Sequence, residues 1–168
     1  MRRMAVVTRL VTVVDVDDRA GSPGLVVADG SATDASGWAP APTDPRPCDP
    51  RVMSLSALHL AVLDDGRRLP LLDDRGWTES GPGDVWRTTS AGSIVAQART
   101  VVGPDEPPGG RSSEEEARAH WEHLAAVLEH QGVVVGAQEL SRMPHGVELT
   151  DRLRHMVADA WNPRLRAP

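Results

Sequence analysis

Leu58-His59-Leu60-Ala61-Val62-Leu63-Asp64-Asp65-Gly66-Arg67-Arg68-Leu69-Pro70-Leu71-Leu72 places two apolar runs on either side of an Asp-Gly turn. Glycine reaches the positive φ that a tight hairpin turn needs, so this stretch predicts two antiparallel strands, Leu58–Leu63 and Arg67–Leu72. Asp73-Asp74-Arg75-Gly76 repeats the same turn chemistry nine residues later and is expected to end the second strand. Upstream, Ala5 to Val16 is rich in Val and Thr, whose β-branched side chains favour a strand. Leu25-Val26-Val27 can form a short strand after the turn signal Gly21-Ser22-Pro23-Gly24. Residues 29–51 hold Pro40, Pro42, Pro45, Pro47 and Pro50 and read as a long loop, because proline this dense excludes a helix or a central strand.

Downstream of the hairpin the period changes from two to 3.6. Thr89-Ser90 can cap a helix running to about Val102, with Ile94, Ala98, Val101 and Val102 on one face. Ser113-Glu114-Glu115-Glu116 reads as a capping box opening a helix to about His130, whose apolar stripe is Ala117, Trp121, Leu124, Val127 and Leu128. Ala137 to Met143 reads as a short helix stopped by Pro144. Glu148 to Trp161 reads as a last helix, with Leu149, Leu153, Met156, Val157 and Ala160 inward. Strands first and helices after predict an α+β fold: a small, mostly antiparallel sheet from the N-terminal half, packed against about three main helices from the C-terminal half. The Pro/Gly loop near residue 105 offers a subdomain boundary. Neither side carries much apolar material alone, so a single domain over 1–168 is expected.

Composition narrows the chemistry. The 168 residues contain no Phe and no Tyr, and five Trp supply the aromatic bulk. All 18 basic residues are Arg, so no Schiff-base lysine, P-loop lysine or lysine general base exists. This bias is what a GC-rich genome produces. The net charge of -6 argues against general affinity for nucleic acid or anionic membrane. Cys48 is the sole cysteine, which excludes an intrachain disulfide and suits a reducing compartment. The apolar run after Met1-Arg2-Arg3-Met4 is broken by Thr8, Arg9 and Thr12, so no signal peptide is expected. No run approaches the roughly 18 apolar residues of a membrane helix. A cytoplasmic location is the expectation.

Several constellations are candidates for chemistry. Glu116, His120 and His123 lie at i, i+4 and i+7 of one helix and form the candidate metal-ligating set. Further ligands would come from His59, His145, His155 or a distant carboxylate. As a structural alternative, Glu116 and His120 are simply a favourable helical pair. Asp64-Asp65 and Asp73-Asp74 are paired carboxylates whose ordinary role is turn formation. Cys48 has no histidine near it in sequence, and no Gly-x-Ser-x-Gly is present. The helices near 113–130, 137–143 and 148–161 are similar in spacing to a helix-turn-helix unit, but acids outnumber the arginines there. Trp38, Trp77 and Trp86 are the candidate partner-binding residues, since Trp is enriched at interface hot spots.

Val13-Val14-Asp15-Val16-Asp17-Asp18 resembles the opening motif of the haloacid-dehalogenase-like phosphatases. The resemblance covers about ten residues and implies Asp15 as nucleophile and Asp17 as acid/base around Mg²⁺. The chain departs from it with Arg19 in place of the Thr or Val two residues after the second Asp, and with no Lys to hold phosphate.

No catalytic set is complete. The expectation is a non-enzymatic protein-binding or regulatory module with a protein partner and no required cofactor. The alternative is a metal-dependent hydrolase or phosphatase using a divalent metal at Asp15 and Asp17 or at Glu116, His120 and His123.

Overall fold

The computed structural model describes residues 5–18, 49–110 and 112–161 of the chain. The candidate strand at 25–27, Cys48, Trp38 and nearly all of the proline-rich stretch lie outside them. The elements in order are β1 (Val7–Val16), β2 (Val52–Leu63), β3 (Arg68–Ser80), α1 (Val85–Thr88), α2 (Ala91–Val101), α3 (Ser113–His130), α4 (Ala137–Leu140), β4 (His145–Leu149) and α5 (Asp151–Trp161). The class is α+β, with a four-stranded sheet in the order β3-β2-β1-β4.

The hairpin forms as the turn chemistry predicts. Gly66 has φ +85, and the amide of Leu63 donates to the carbonyl of Arg67 at 2.9 Å. Its strands are longer than expected, however. Asp73-Asp74-Arg75-Gly76 does not end β3. Ala57 pairs with Arg75 but His59 pairs with Leu72, so both aspartates lie opposite Leu58 and the strand absorbs them as a bulge. Gly76 serves close approach and not a turn, because a Cβ there would come within 2.5 Å of the Leu55 carbonyl oxygen.

A second departure changes the sheet. Glu148 does not open the last helix. His145 to Leu149 pair in parallel with β1, Leu10 beside His145 and Val14 beside Leu149. The sheet is therefore mixed, and one strand comes from the C-terminal half. The period of two in Val147-Glu148-Leu149 carries the signal: Val147 and Leu149 pack into the core, while Glu148 points to the other face. Thr150 then caps α5, its hydroxyl accepting from the Leu153 amide at 3.2 Å.

The helices also shift in detail. The α3 capping box uses Ser112 and Glu115, one residue before the expected pair. α4 ends at Leu140 instead of near Met143. The short α1, absent from the expected elements, carries Trp86 into the core.

Register fixes the layering. Leu10, Thr12 and Val14 of β1 face the same side as Met53, Leu55, His59, Ala61 and Leu63 of β2. Two apolar clusters form on that side. Leu10, Ala61 and Leu63 pack with Leu124, Leu128 and Leu140 of α3 and α4. Val14, Met53 and Leu55 pack with Ile94, Ala98 and Leu153 of α2 and α5. The other face carries Val11, Leu60 and Val62, which belong to neither cluster. There Arg68 of β3 donates to both carboxylate oxygens of Glu148 of β4, at 2.8 and 3.1 Å. That ion pair bridges the two outermost strands above the central pair.

Candidate functional site

Between the two apolar clusters, the helix-covered face turns polar. Thr12 and His59 are direct cross-strand partners and are 0% and 1% exposed. The Thr12 hydroxyl lies 2.9 Å from His59 Nδ1 and 2.7 Å from His145 Nε2. The two rings meet edge to face with centroids 4.9 Å apart. Three neighbouring strands thus contribute one side chain each. A hydroxyl has a single proton, so Thr12 donates to one ring nitrogen and accepts an N–H from the other. The tautomers of the two histidines are coupled through it.

Burial decides the charge state. It holds the His59 imidazole down at about 3, and His145 and then His120 push in the same direction. His145 is lowered mainly by burial and then by the Arg99 guanidinium of α2. His120 of α3 is lowered mainly by burial and then by Arg75 of β3, with Asp105 opposing. Arg75 is held by Asp105 through two hydrogen bonds, at 2.6 and 3.1 Å. At neutral pH the cluster is a set of uncharged rings. Among the described residues, His59 Nε2 and His120 Nε2 are both buried without a hydrogen-bond partner.

The expected metal set does not converge. α3 turns inward along Leu124 and Leu128, and the i+4 row through them includes His120 and Glu116 but leaves His123 exposed. Among the described residues no group of three His, Cys, Asp or Glu is placed to hold a metal ion. His59 and His145, named in the sequence as completing ligands, do approach His120's side of the fold. Thr12, which joins them, was missed. Its signal was a polar residue at the inward parity of an otherwise aliphatic strand.

The aspartates have structural roles. Asp15 accepts from the Thr150 hydroxyl at 2.7 Å and from the Val16 amide at 2.8 Å. Asp18 receives two hydrogen bonds from Arg152, at 2.6 and 2.8 Å, and this guanidinium holds its carboxyl below the usual range. These contacts tie β1 to the start of α5. Asp64 accepts from the Val6 amide, and Asp65 from the Arg67 backbone and side chain, as turn residues do. Trp86 is buried, and its indole N–H donates to the Val52 carbonyl. Trp77 is half-buried against the same core cluster. Both face the helices, so neither is an exposed hot spot.

No protein-family model matches the chain, and no curated protein or solved structure is similar to it at a significant level. No described helix is long and apolar enough to cross a membrane.

Proposed function

We propose that this chain is a non-enzymatic, protein-binding domain of regulatory type, and that it docks its partner on the face of the sheet that none of the described helices covers. One observation carries the reading. Val52, Ser54, Ser56 and Leu58 of β2, with Gly76 and Thr78 of β3, form an uncharged strip on that face, bordered by Asp15 beside Ser56 and by Asp73 and Asp74 opposite Leu58. Val52 and Leu58 are 37% and 36% exposed, and Ser54 and Thr78 share a hydroxyl hydrogen bond at 2.9 Å. Interface centres are depleted in charge, and this strip belongs to a chain one quarter of whose residues are charged. The rival reading, a metal-dependent hydrolase or phosphatase, is weakened because Asp15 is engaged by Thr150. The partner is a protein and not a nucleic acid, in keeping with the net charge of -6, and the setting is cytoplasmic.

The test places charge in the strip. Thr78→Arg and Leu58→Arg alter exposed side chains and leave both core clusters intact. A protein cross-linked to the wild-type chain in native extract, then purified, should bind either variant at least about tenfold more weakly. Equal binding to all three chains would refute the docking surface.

A further inference from the structure

The Thr12–His59–His145 cluster sits at the seam between two apolar clusters, beneath two different helices. We propose that it is an acid-sensitive latch between the sheet and the helices above it: closed while both rings are neutral, it releases the α2–α3 side of the helical layer once they take up protons.

The hydrogen-bond inventory supplies the mechanism. With both rings neutral, one ring nitrogen accepts from Thr12 and the other donates to it, so the Thr12 hydroxyl, His59 Nδ1 and His145 Nε2 are all matched. One added proton is tolerated, because an imidazolium can donate to Thr12 while Thr12 donates onward. A second proton makes both rings donors. The Thr12 proton then has no acceptor, and two cations stand with centroids 4.9 Å apart around residues 0% and 1% exposed. Buried like charges at this range cannot both persist, so the packing must give.

What lies above decides which part moves. α3 presents His120, and α2 presents Arg99, whose charge acts on His145. Arg75 of β3 stands beside His120. The nearby carboxylates are Asp105, bound to Arg75, and Glu116 on α3. Arg99 of α2 and Arg75 of β3 therefore already face the histidines, and new positive charge on the sheet repels Arg99 and with it the helical layer. α5 is anchored differently, through Thr150 with Asp15 and through Arg152 with Asp18, whose carboxyl that guanidinium holds below the usual range.

The direction follows from linkage. A histidine whose folded value is depressed takes its proton first in the open chain. Its stabilising effect is complete above the ordinary value of 6.5 and is lost as pH falls from there toward about 3. The His59 ring costs about tenfold in the closed-to-open ratio per pH unit over that window, and His145 acts in the same direction.

The experiment uses the full chain at pH 8 to 4.5, following 1-anilinonaphthalene-8-sulfonate (ANS) fluorescence, near-ultraviolet and far-ultraviolet circular dichroism, and urea denaturation. Expected for wild type is ANS binding and loss of the near-ultraviolet signal below pH 6, with the far-ultraviolet signal retained and full recovery on neutralisation. Urea denaturation of His59→Gln should lose about 100-fold of the pH dependence between 6.5 and 4.5. Equal pH dependence in wild type and His59→Gln would overturn the latch. Where that variant fails to fold, the wild-type chain still decides: no ANS binding above pH 4.5, or far-ultraviolet and near-ultraviolet signals lost together, would overturn it as well.

Discussion

Thr12 stands where an aliphatic side chain would join Leu10 and Val14 in the core. Replacing it with Val keeps the shape but strands His59 Nδ1 and His145 Nε2 without a partner. Each orphaned buried group costs about 1–3 kcal/mol, so Thr12→Val should lose about 2–4 kcal/mol in urea denaturation at pH 7.5, and Thr12→Ser should lose much less. Gly76 offers a second residue-scale test. A Cβ would meet the Leu55 carbonyl oxygen at 2.5 Å, and that oxygen is backbone and cannot swing away. Gly76→Ala should destabilise the hairpin by about 1–3 kcal/mol, read as a drop in thermal midpoint. Neither residue was legible in this role. Thr12 reads as an ordinary strand former, and Gly76 reads as a turn glycine because Asp73 and Asp74 precede it. Sequence does not reveal that a neighbouring strand will absorb two extra residues.

At the scale of elements, the sequence was most informative where a local device specifies structure without help. The Asp-Gly hairpin, the Ser90 cap and the full extent of α3 are of this kind. Ser112-Ser113-Glu114-Glu115-Glu116 contains two overlapping capping patterns, and local chemistry cannot rank them. The structure selects Ser112, whose hydroxyl accepts from the Glu115 amide at 3.2 Å while Glu115 accepts from the Ser112 amide at 2.8 Å. Ser112→Ala should therefore cost about 1 kcal/mol, and Ser113→Ala should stay within about 0.5 kcal/mol of wild type. β4 was lost for the opposite reason. Five residues alternate too briefly to compete with the helical stripe beginning at Leu149. What makes them a strand is pairing with β1, more than 130 residues away in the chain.

On the scale of the whole molecule, the α+β class followed from the change of period along the chain, because two-fold and 3.6-fold patterns occupy different halves. The parallel strand did not follow, since it depends on a non-local partner. The candidate site was legible only in its parts: His59, His120 and His145 were visible as titratable groups. Their convergence rests on which sides of β2, α3 and β4 face one another. The face opposite the described helices makes a contrasting prediction. Arg68 and Glu148 are about 40% exposed, so their strap stabilises little. Arg68→Ala should lose under about 1 kcal/mol, an effect that shrinks further in high salt. The acid response, by contrast, should persist in salt, because it arises from buried rings.

In the proposed latch, a neutral histidine cluster seals the seam between sheet and helices. Ring-nitrogen NMR of histidine-labelled protein measures it most directly, resonance by resonance, from pH 8 downward. His59 should remain neutral for as long as the native spectrum persists. A His59 ring that gains its proton near 6.5 while the native spectrum is intact would contradict the account.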